Sequence, residues 1–191
     1  MDSSYFTSPL EFLINTLFGL YITAVLLRFL LACVRADFYN PLSQTLVKIT
    51  NPTLKPLRRV IPGFGGIDLA SIVLMLALQM LALTLITLLR GTSIHPLGLF
   101  LWAIAELLGL LINVYMFSIL IQVILSWISP GTYNPTASLI FSINEPLLAP
   151  ARRLIPPLSG LDLSPVVVML GLQLLKMLLL PPLLTWGLSV T

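Results

Sequence analysis

The chain has 191 residues, of which 58% are hydrophobic and only 9% are charged, against about 25% charged residues in an average soluble domain. A mean hydropathy of +1.03 excludes a disordered chain and indicates a membrane protein. A single cysteine excludes an intramolecular disulfide, a single histidine leaves little for a metal or a haem, and a net charge of +3 is too dilute for a nucleic-acid surface. We therefore expect neither a cofactor nor a nucleic-acid partner.

Four apolar stretches are long enough to cross the roughly 30 Å hydrocarbon core of a bilayer as helices. We place these spans at about residues 10–33, 69–89, 106–128 and 163–180. Residues 97–105, which precede the third span, are interpreted as an interfacial segment, because the whole run is too long for one perpendicular crossing. Pro181 and Pro182 are predicted to interrupt the fourth span. The sequence thus predicts an all-α membrane protein with four transmembrane helices.

The distribution of Lys and Arg predicts the orientation of these spans, because short cytoplasmic loops are enriched in both residues. The two long connections contain seven of them, whereas the opposite side of the membrane has only Arg90. We therefore place both connections in the cytoplasm and both chain termini in the periplasm.

A shift of 94 residues superposes the two halves of the chain, 1–96 and 97–191. The matched pairs are Asn40/Asn134, Pro41/Pro135, Pro52/Pro146, Pro56/Pro150, Arg58/Arg152, Arg59/Arg153, Asp68/Asp162 and Gln79/Gln173. Each half is a span, a cytoplasmic connection and a second span, so both repeats cross the bilayer in the same direction. The axis that relates them is then parallel to the membrane normal, unlike that of inverted transporter repeats.

The repeated motifs are F-Y-N-P…N-P-x-x-x-P-x-R-R-x-I-P…G-x-D in the first half and Y-N-P…E-P-L-L-x-P-x-R-R-L-I-P…G-L-D in the second. Their spacing resembles the bacterial YggT family, also called YlmG, in its two-repeat form and over nearly the whole chain. This resemblance implies a multi-pass protein of the bacterial inner membrane without an established reaction. It also associates the chain with osmotic-stress tolerance, with division and envelope processes, and with cytochrome maturation in chloroplast relatives.

Each connection is predicted to begin with a short amphipathic helix. Asn40 and Asn134 precede prolines, and asparagine caps a helix whose first residue is a proline. Apolar and polar residues alternate at helical spacing in both segments. Because the residue before a proline disfavours helix, we expect each helix to end after about ten residues, at Asn51-Pro52 or Glu145-Pro146. Helices of this length lie in the membrane interface rather than across the bilayer.

Six basic residues lie within or shortly after these predicted helices: Lys48, Lys55, Arg58, Arg59, Arg152 and Arg153. One interpretation is a site for anionic lipid headgroups, in which each juxtamembrane cation contributes about 1 kcal/mol. The alternative is that these residues only anchor the topology, because cytoplasmic flanks are generally basic.

Asp68 and Asp162 lie at the start of the second span of each repeat. They follow a turn that the glycines at 63, 65 and 66 allow in the first repeat and that Gly160 allows in the second. The favoured role is a helix cap, in which the carboxylate accepts an unpaired backbone N–H. The alternative is an ion pair with the twin arginines, which closes the connection into one rigid unit.

Few polar residues lie within the predicted spans. Gln79 and Gln173 follow the two aspartates by eleven residues, about 16 Å along a helix, so both are predicted near mid-membrane. We expect interhelical hydrogen bonds there, which the axis between the repeats could form between the two glutamines; the alternative is a pore or substrate role. Glu106 is predicted near the outer end of its span and Lys176 beyond the midplane, where either an ion pair between them or a lysine that snorkels outward fits. Arg28 is expected to snorkel at the inner end of the first span.

We expect no enzyme, because the sequence lacks a phosphate-binding Gly-rich loop, a His-x-x-x-His pair and facing carboxylates. The leading hypothesis is a membrane scaffold or assembly factor that contacts anionic lipid and other membrane proteins through its cytoplasmic segments. The alternative is a small ion transporter or channel component in osmotic adaptation. Four short spans offer a sparse pathway, so this alternative needs a homo-oligomer.

Overall fold

The computed structural model describes residues 4–92, 95–128, 134–155 and 162–189. The helices within these ranges are α1 (Ser4–Cys33), α2 (Pro41–Val60), α3 (Leu69–Leu89), α4 (Pro96–Ile128), α5 (Pro135–Leu154) and α6 (Ser164–Ser189). Four of them, α1, α3, α4 and α6, are long and apolar enough to cross a membrane. The expected all-α membrane protein with four spans is therefore confirmed. We call α2 and α5 the connecting helices.

Each repeat is built around one pair of spans and the connecting helix between them. In the first repeat α1 packs along α3 and α2 contacts both; in the second, α4 packs along α6 and α5 contacts both. The repeats join through α3 with α4 and through α5 with α1. Ile22, Val25 and Leu54 of the first repeat share one hydrophobic core with Leu139 and Ile143 of the second.

Both connecting helices lie at the same end of the molecule. The Asn40 side chain, which is buried, donates a hydrogen bond from Nδ2 to the backbone oxygen of Pro135 at 2.6 Å. The first turns of α2 and α5 are therefore neighbours, and the two repeats cross the bilayer in the same direction, as the 94-residue repeat predicts.

The predicted length of the connecting helices is wrong. Both continue through their internal prolines for twenty residues, rather than ending before Pro52 and Pro146. The rings of these prolines, like those of Pro56 and Pro150, lie on the exposed face, where solvent can satisfy the freed carbonyl groups. The opposite face is buried against the spans, and this packing holds the helix together across the prolines.

The bounds of the third and fourth spans also differ from the prediction. Residues 97–105 are not a separate interfacial segment but the first turns of α4, which is 33 residues long and therefore spans about 50 Å. Helix α6 continues past Pro181 and Pro182 because it packs closely on α4 through small residues. A Cβ atom at Gly187 would lie 3.2 Å from the Gly98 oxygen, so a larger residue there would push the two helices slightly apart.

Helix α1 starts at Ser4, about two turns before the predicted start, with Pro9 in its early turns. At the end opposite the connecting helices, Arg90 and Glu11 form a bidentate ion pair between the end of α3 and α1. The Nε–Oε1 distance is 2.9 Å and the Nη2–Oε2 distance is 2.7 Å. This pair fixes the two spans of the first repeat to each other at the far end.

Candidate functional site: the two connecting helices

The chain enters both connecting helices through an asparagine cap. The Asn40 Oδ1 atom accepts the backbone N–H of Leu42 at 3.0 Å, and Asn134 accepts that of Thr136 at 2.9 Å. Pro41 occupies the first helical position of α2, and Pro135 has the same place in α5. The predicted caps are thus confirmed, and they fix where each connecting helix begins.

In each repeat a buried polar residue of the first span hydrogen-bonds to the middle of the connecting helix. Arg28 donates to the Thr50 hydroxyl at 2.6 Å, so the prediction that Arg28 snorkels is wrong. At the equivalent positions of the second repeat, the Asn144 amide donates to Gln122 Oε1 at 2.8 Å. Asn144 also accepts the hydroxyl of Ser118 at 2.5 Å. Different residues thus make the same connection between span and connecting helix.

Sequence reasoning missed this connection, although the repeat contained a signal for it. Positions 28 and 122 correspond under the 94-residue shift, and both are polar within mostly apolar spans. Two polar residues at one repeat position indicate a shared partner, because a polar group in hydrocarbon needs a hydrogen bond. The partners at 50 and 144 correspond in the same way.

The last turn of each connecting helix is joined to the second span by an ion pair. Arg58 Nη2 lies 2.5 Å from Asp68 Oδ2, and Arg152 Nε lies 3.0 Å from Asp162 Oδ2. Arg152 also contacts Glu145 at 3.0 Å. The ion pair, which was the alternative interpretation of the two aspartates, is therefore present in both repeats.

The favoured capping role holds only in the second repeat. Asp162 accepts the backbone N–H of Ser164 at 2.9 Å, whereas Asp68 makes no side-chain cap of α3 and accepts the hydroxyl of Ser71 instead. The turn before α3 uses Gly65 and Gly66, whose φ angles of +61° and +83° favour glycine. Gly160 of the second repeat lies outside the described residues.

The surroundings of both aspartates favour their charged form. Burial raises the pKa of Asp68, but the hydrogen bonds from Arg58 and Ser71 and the charge of Arg58 outweigh it, so the pKa lies below the usual value. Burial likewise raises the pKa of Asp162, while hydrogen bonds from Ser164 and Arg152 lower it further than burial raises it. Both ion pairs are therefore charged at neutral pH.

The twin arginines have different surroundings. The first of each pair, Arg58 or Arg152, is held by an aspartate as described above. The second, Arg59 or Arg153, is exposed and has no ion-pair or hydrogen-bond partner among the residues that the structure describes. Successive helical residues point about 100° apart, so fixing the first arginine directs the second away from the spans.

Helix α2 has two exposed edges of different chemistry. Lys48, Lys55 and Arg59 recur at intervals of seven and four residues and form a basic edge. Leu42, Ile49 and Val60, which are also exposed, recur at seven and eleven residues and form an apolar edge. Both spacings are close to whole helical turns, so each set follows one line along the helix.

A cavity of about 450 Å³ opens beside the connecting helix of the second repeat. Gln122, Trp127 and Phe141 line it together with the Arg152–Asp162 ion pair. Within the described part of the chain, no group of three or more His, Cys, Asp or Glu side chains is arranged to hold a metal ion.

The polar residues within the spans are not paired as predicted. Helix α4 lies between α3 and α6, so Gln79 and Gln173 do not meet: Gln79 lines a cavity of about 320 Å³ with Asn15 and Glu106, and Gln173 is exposed on α6. Neither amide has a hydrogen-bond partner in the ranges that the structure covers.

Glu106 and Lys176 do not form an ion pair either. The Lys176 ammonium donates to Asn113 Oδ1 at 2.8 Å, and Glu106 accepts the indole N–H of Trp102 at 3.2 Å. Both side chains nevertheless line one cavity of about 250 Å³ between α4 and α6. Glu106 therefore borders two cavities, one on each side of α4.

Comparisons with known proteins agree with this two-repeat architecture. The family model CCB3/YggT matches residues 7–89 and again residues 101–183. An uncharacterised protein of Pseudomonas aeruginosa is 51% identical over 171 residues, which cover 88% of this chain and 87% of that protein. A protein of Vibrio alginolyticus, described only as uncharacterised and located in the proC 3′ region, is 42% identical over 90% of this chain and 94% of its own length.

The uncharacterised protein YggT of Escherichia coli K12 is 39% identical over 173 residues, or 89% of this chain and 88% of that protein. No solved structure matches the chain. The two family matches fall on the two helical repeats and leave out only short segments. The chain belongs to the CCB3/YggT family.

Proposed function

We propose that this chain is a non-enzymatic membrane scaffold whose working surface is the exposed side of the two connecting helices. On this proposal it lies in the bacterial inner membrane with the connecting helices at the cytoplasmic leaflet and both termini in the periplasm. Seven of the Lys and Arg residues belong to the two connections, which supports this orientation. The basic edge then faces anionic headgroups, and Leu42 and Val60 of the apolar edge enter the adjacent hydrocarbon.

The proposal rests on one observation: in both repeats the first of the twin arginines forms an ion pair within the chain and the second is exposed. Arg58 and Arg152 are taken up by ion pairs within the chain, and Arg59 and Arg153 are left exposed. If these arginines only anchored the topology, positive charge near the connecting helices would be enough. That role does not explain why one arginine is ion-paired and the next is exposed. A surface that presents cations at fixed positions needs this arrangement.

Lipid binding is tested with four exposed cations replaced by glutamine: Lys48→Gln, Lys55→Gln, Arg59→Gln and Arg153→Gln. Retention of phosphatidylglycerol against phosphatidylethanolamine is measured by native mass spectrometry of the purified protein. Each cation contributes about 1 kcal/mol, so even one productive contact changes affinity by about fivefold. The control exchanges lysine and arginine at the same four positions, which keeps the charge. Equal phosphatidylglycerol retention in both variants would contradict the lipid contact.

Contact with other membrane proteins is tested by placing a photoreactive residue at Lys55 in living cells. We expect a discrete protein adduct that is lost when Lys48, Arg59 and Arg153 are also replaced by glutamine, and retained when lysine and arginine are exchanged at those three positions. A probe at exposed Leu88, in the last turn of α3 away from the connecting helices, reports nonspecific capture. Adducts of equal yield from both positions would count against a scaffold.

The alternative proposal is a small ion transporter or channel component in osmotic adaptation. It is supported by Glu106, an intramembrane carboxylate that borders a cavity on each side of α4, with Lys176 in one of them. Charged residues inside a membrane commonly mark ion pathways. Flux in liposomes that is lost in Glu106→Gln and Lys176→Met, but not in the Arg59→Gln variant, would favour this alternative over the scaffold.

A further inference from the structure

The contact between the two repeats buries the surface of α1 that faces α5. Leu26 and Leu30 are each 5% exposed there and belong to the core shared with the second repeat. Their equivalents under the 94-residue shift, Leu120 and Ile124 of α4, are 43% and 44% exposed. The second repeat therefore has a copy of this surface, which we call the receiving surface, and none of the described residues covers it.

The surface of the second repeat that contacts α1 is buried, whereas its equivalent in the first repeat is exposed. Ile143 of α5 is 5% exposed in the shared core, whereas its equivalent in α2, Ile49, is 49% exposed. Leu111 and Val114 of α4 pack against the same core. Their equivalents in α1 are exposed. The first repeat thus has an exposed copy of the surface with which the second repeat packs against α1. We call this the inserting surface.

The two repeats are consequently joined head to tail. Helix α5 packs against α1, but α2 and α4 are not among the helix pairs in extensive contact over the described residues. A two-fold arrangement of the repeats would require both contacts. A head-to-tail contact leaves one receiving and one inserting surface unused, and such contacts propagate until a ring closes.

We propose that a second copy of this chain fills these surfaces, with the Ile49 side of one copy on the Leu120–Ile124 side of the other. The inserting surface consists of Leu17, Leu20 and Ile49, and the receiving surface of Leu120 and Ile124. Because every copy shares one orientation in the membrane, the operation between copies is a rotation about the membrane normal. Two copies that close in this way form a ring of four repeats.

A second copy fits better than lipid or an unrelated protein because each free surface repeats one that already has its partner inside the chain. The receiving positions are leucine in α1 and leucine or isoleucine in α4, and the key inserting position is isoleucine in both connecting helices. Side-chain volume and shape are therefore nearly preserved, and close packing drives helix association in membranes.

The test uses cysteine crosslinking in native membranes, in the full chain with the exposed Cys33 replaced by serine. Two differently tagged copies are coexpressed, one with Ile49→Cys and the other with Ile124→Cys, and treated with a short bifunctional thiol reagent. The matched control replaces Ile124→Cys by Val167→Cys on α6. Val167 is 42% exposed, and so is its first-repeat equivalent Val73, so the repeat contact does not cover this position.

We expect a heterodimer of the two tags at about tenfold the yield of the Val167 control, since a formed interface holds the thiols at high effective concentration. A Leu30→Cys/Ile143→Cys chain should form the equivalent link internally, which shows that folding and reagent access are intact. With that link present, three results would overturn the proposal. These are yields equal to the Val167 control, Ile49–Ile49 adducts that exceed Ile49–Ile124 adducts, or adducts to a different protein only.

Discussion

The hydrogen bond between Gln122 and Asn144 should stabilise the second repeat only while both partners are present. Asn144 is fully buried and its amide donates to Gln122, so replacing Gln122 by leucine leaves a buried donor without a partner. Replacing Asn144 by leucine leaves the Gln122 oxygen unpaired. Replacing both removes the polar groups together and substitutes apolar side chains of similar size.

The burial of each group sets the expected magnitudes. A buried polar group without a partner costs about 1–3 kcal/mol. We expect the upper part of this range, about 2–3 kcal/mol, for Gln122→Leu, because the Asn144 amide has no other acceptor among the residues that the structure describes. Asn144→Leu should cost about 1–2 kcal/mol, because Gln122 lines a cavity that water can enter and Ser118 also donates to the Tyr115 backbone oxygen. The double variant should lose at least about 1 kcal/mol less than the sum of the singles.

The free energy of unfolding is measured by denaturation of the purified protein with sodium dodecyl sulfate, followed by circular dichroism. The matched control is Arg28→Met and Thr50→Val in the first repeat. There the Thr50 hydroxyl also donates to the Leu46 backbone oxygen. Arg28→Met therefore leaves Thr50 with a hydrogen-bond partner and should lower the free energy of unfolding only slightly. Additive losses at Gln122 and Asn144, within about 0.5 kcal/mol, would refute the reasoning.

Three further predictions concern the ion pairs and the intramembrane lysine. Asp68→Asn should cost about 0.5–1 kcal/mol at pH 7, because Arg58 is well exposed. Since the pKa of Asp68 is lowered on folding, this difference should decrease as the pH falls from the ordinary carboxyl pKa through the lowered one, and a thermal-unfolding difference that does not decrease on acidification would contradict it. Glu11→Gln and Arg90→Gln should each lower the unfolding temperature and show no additive loss when combined, whereas additive losses would mean that the two residues act separately. Lys176→Ala, which introduces the residue of the first repeat, should raise stability by about 1–3 kcal/mol, and a loss on thermal unfolding would show that the contact with Asn113 outweighs the cost of the charge.

The sequence predicted the features that depend on composition and on the repeat. Four long apolar runs, the capping asparagines and the 94-residue shift are enough to predict the number of spans, the starts of the connecting helices and the common direction of both repeats. Local chemistry governs each of these: the length needed to cross hydrocarbon, and the residues that satisfy the first N–H groups of a helix.

Tertiary packing decided the features that the sequence did not predict. Pro52 lowers helix propensity wherever it occurs, but the buried face of α2 keeps the helix intact because the ring lies on the exposed side. In the same way, Gly98 and Gly187 extend the packing of α4 and α6 beyond the predicted spans. The position of Gln79 relative to Gln173 depended on α4 lying between their helices, and no spacing within a single helix contains that information.

The contacts in the middle and at the end of each connecting helix favour a fixed surface over a moving part. Apolar packing alone is non-directional and permits rotation, whereas a hydrogen bond or an ion pair constrains direction. Helix α2 is held in its middle by Arg28 and at its end by Asp68, and α5 has the equivalent contacts. Two directional contacts on one short helix fix both its rotation and its tilt, so the backbone at Arg59 is held at a constant position relative to the spans. Transport requires an element with two arrangements. The connecting helices are poorly suited to that role, which leaves α4 with Glu106 as the place where a moving part would have to be found.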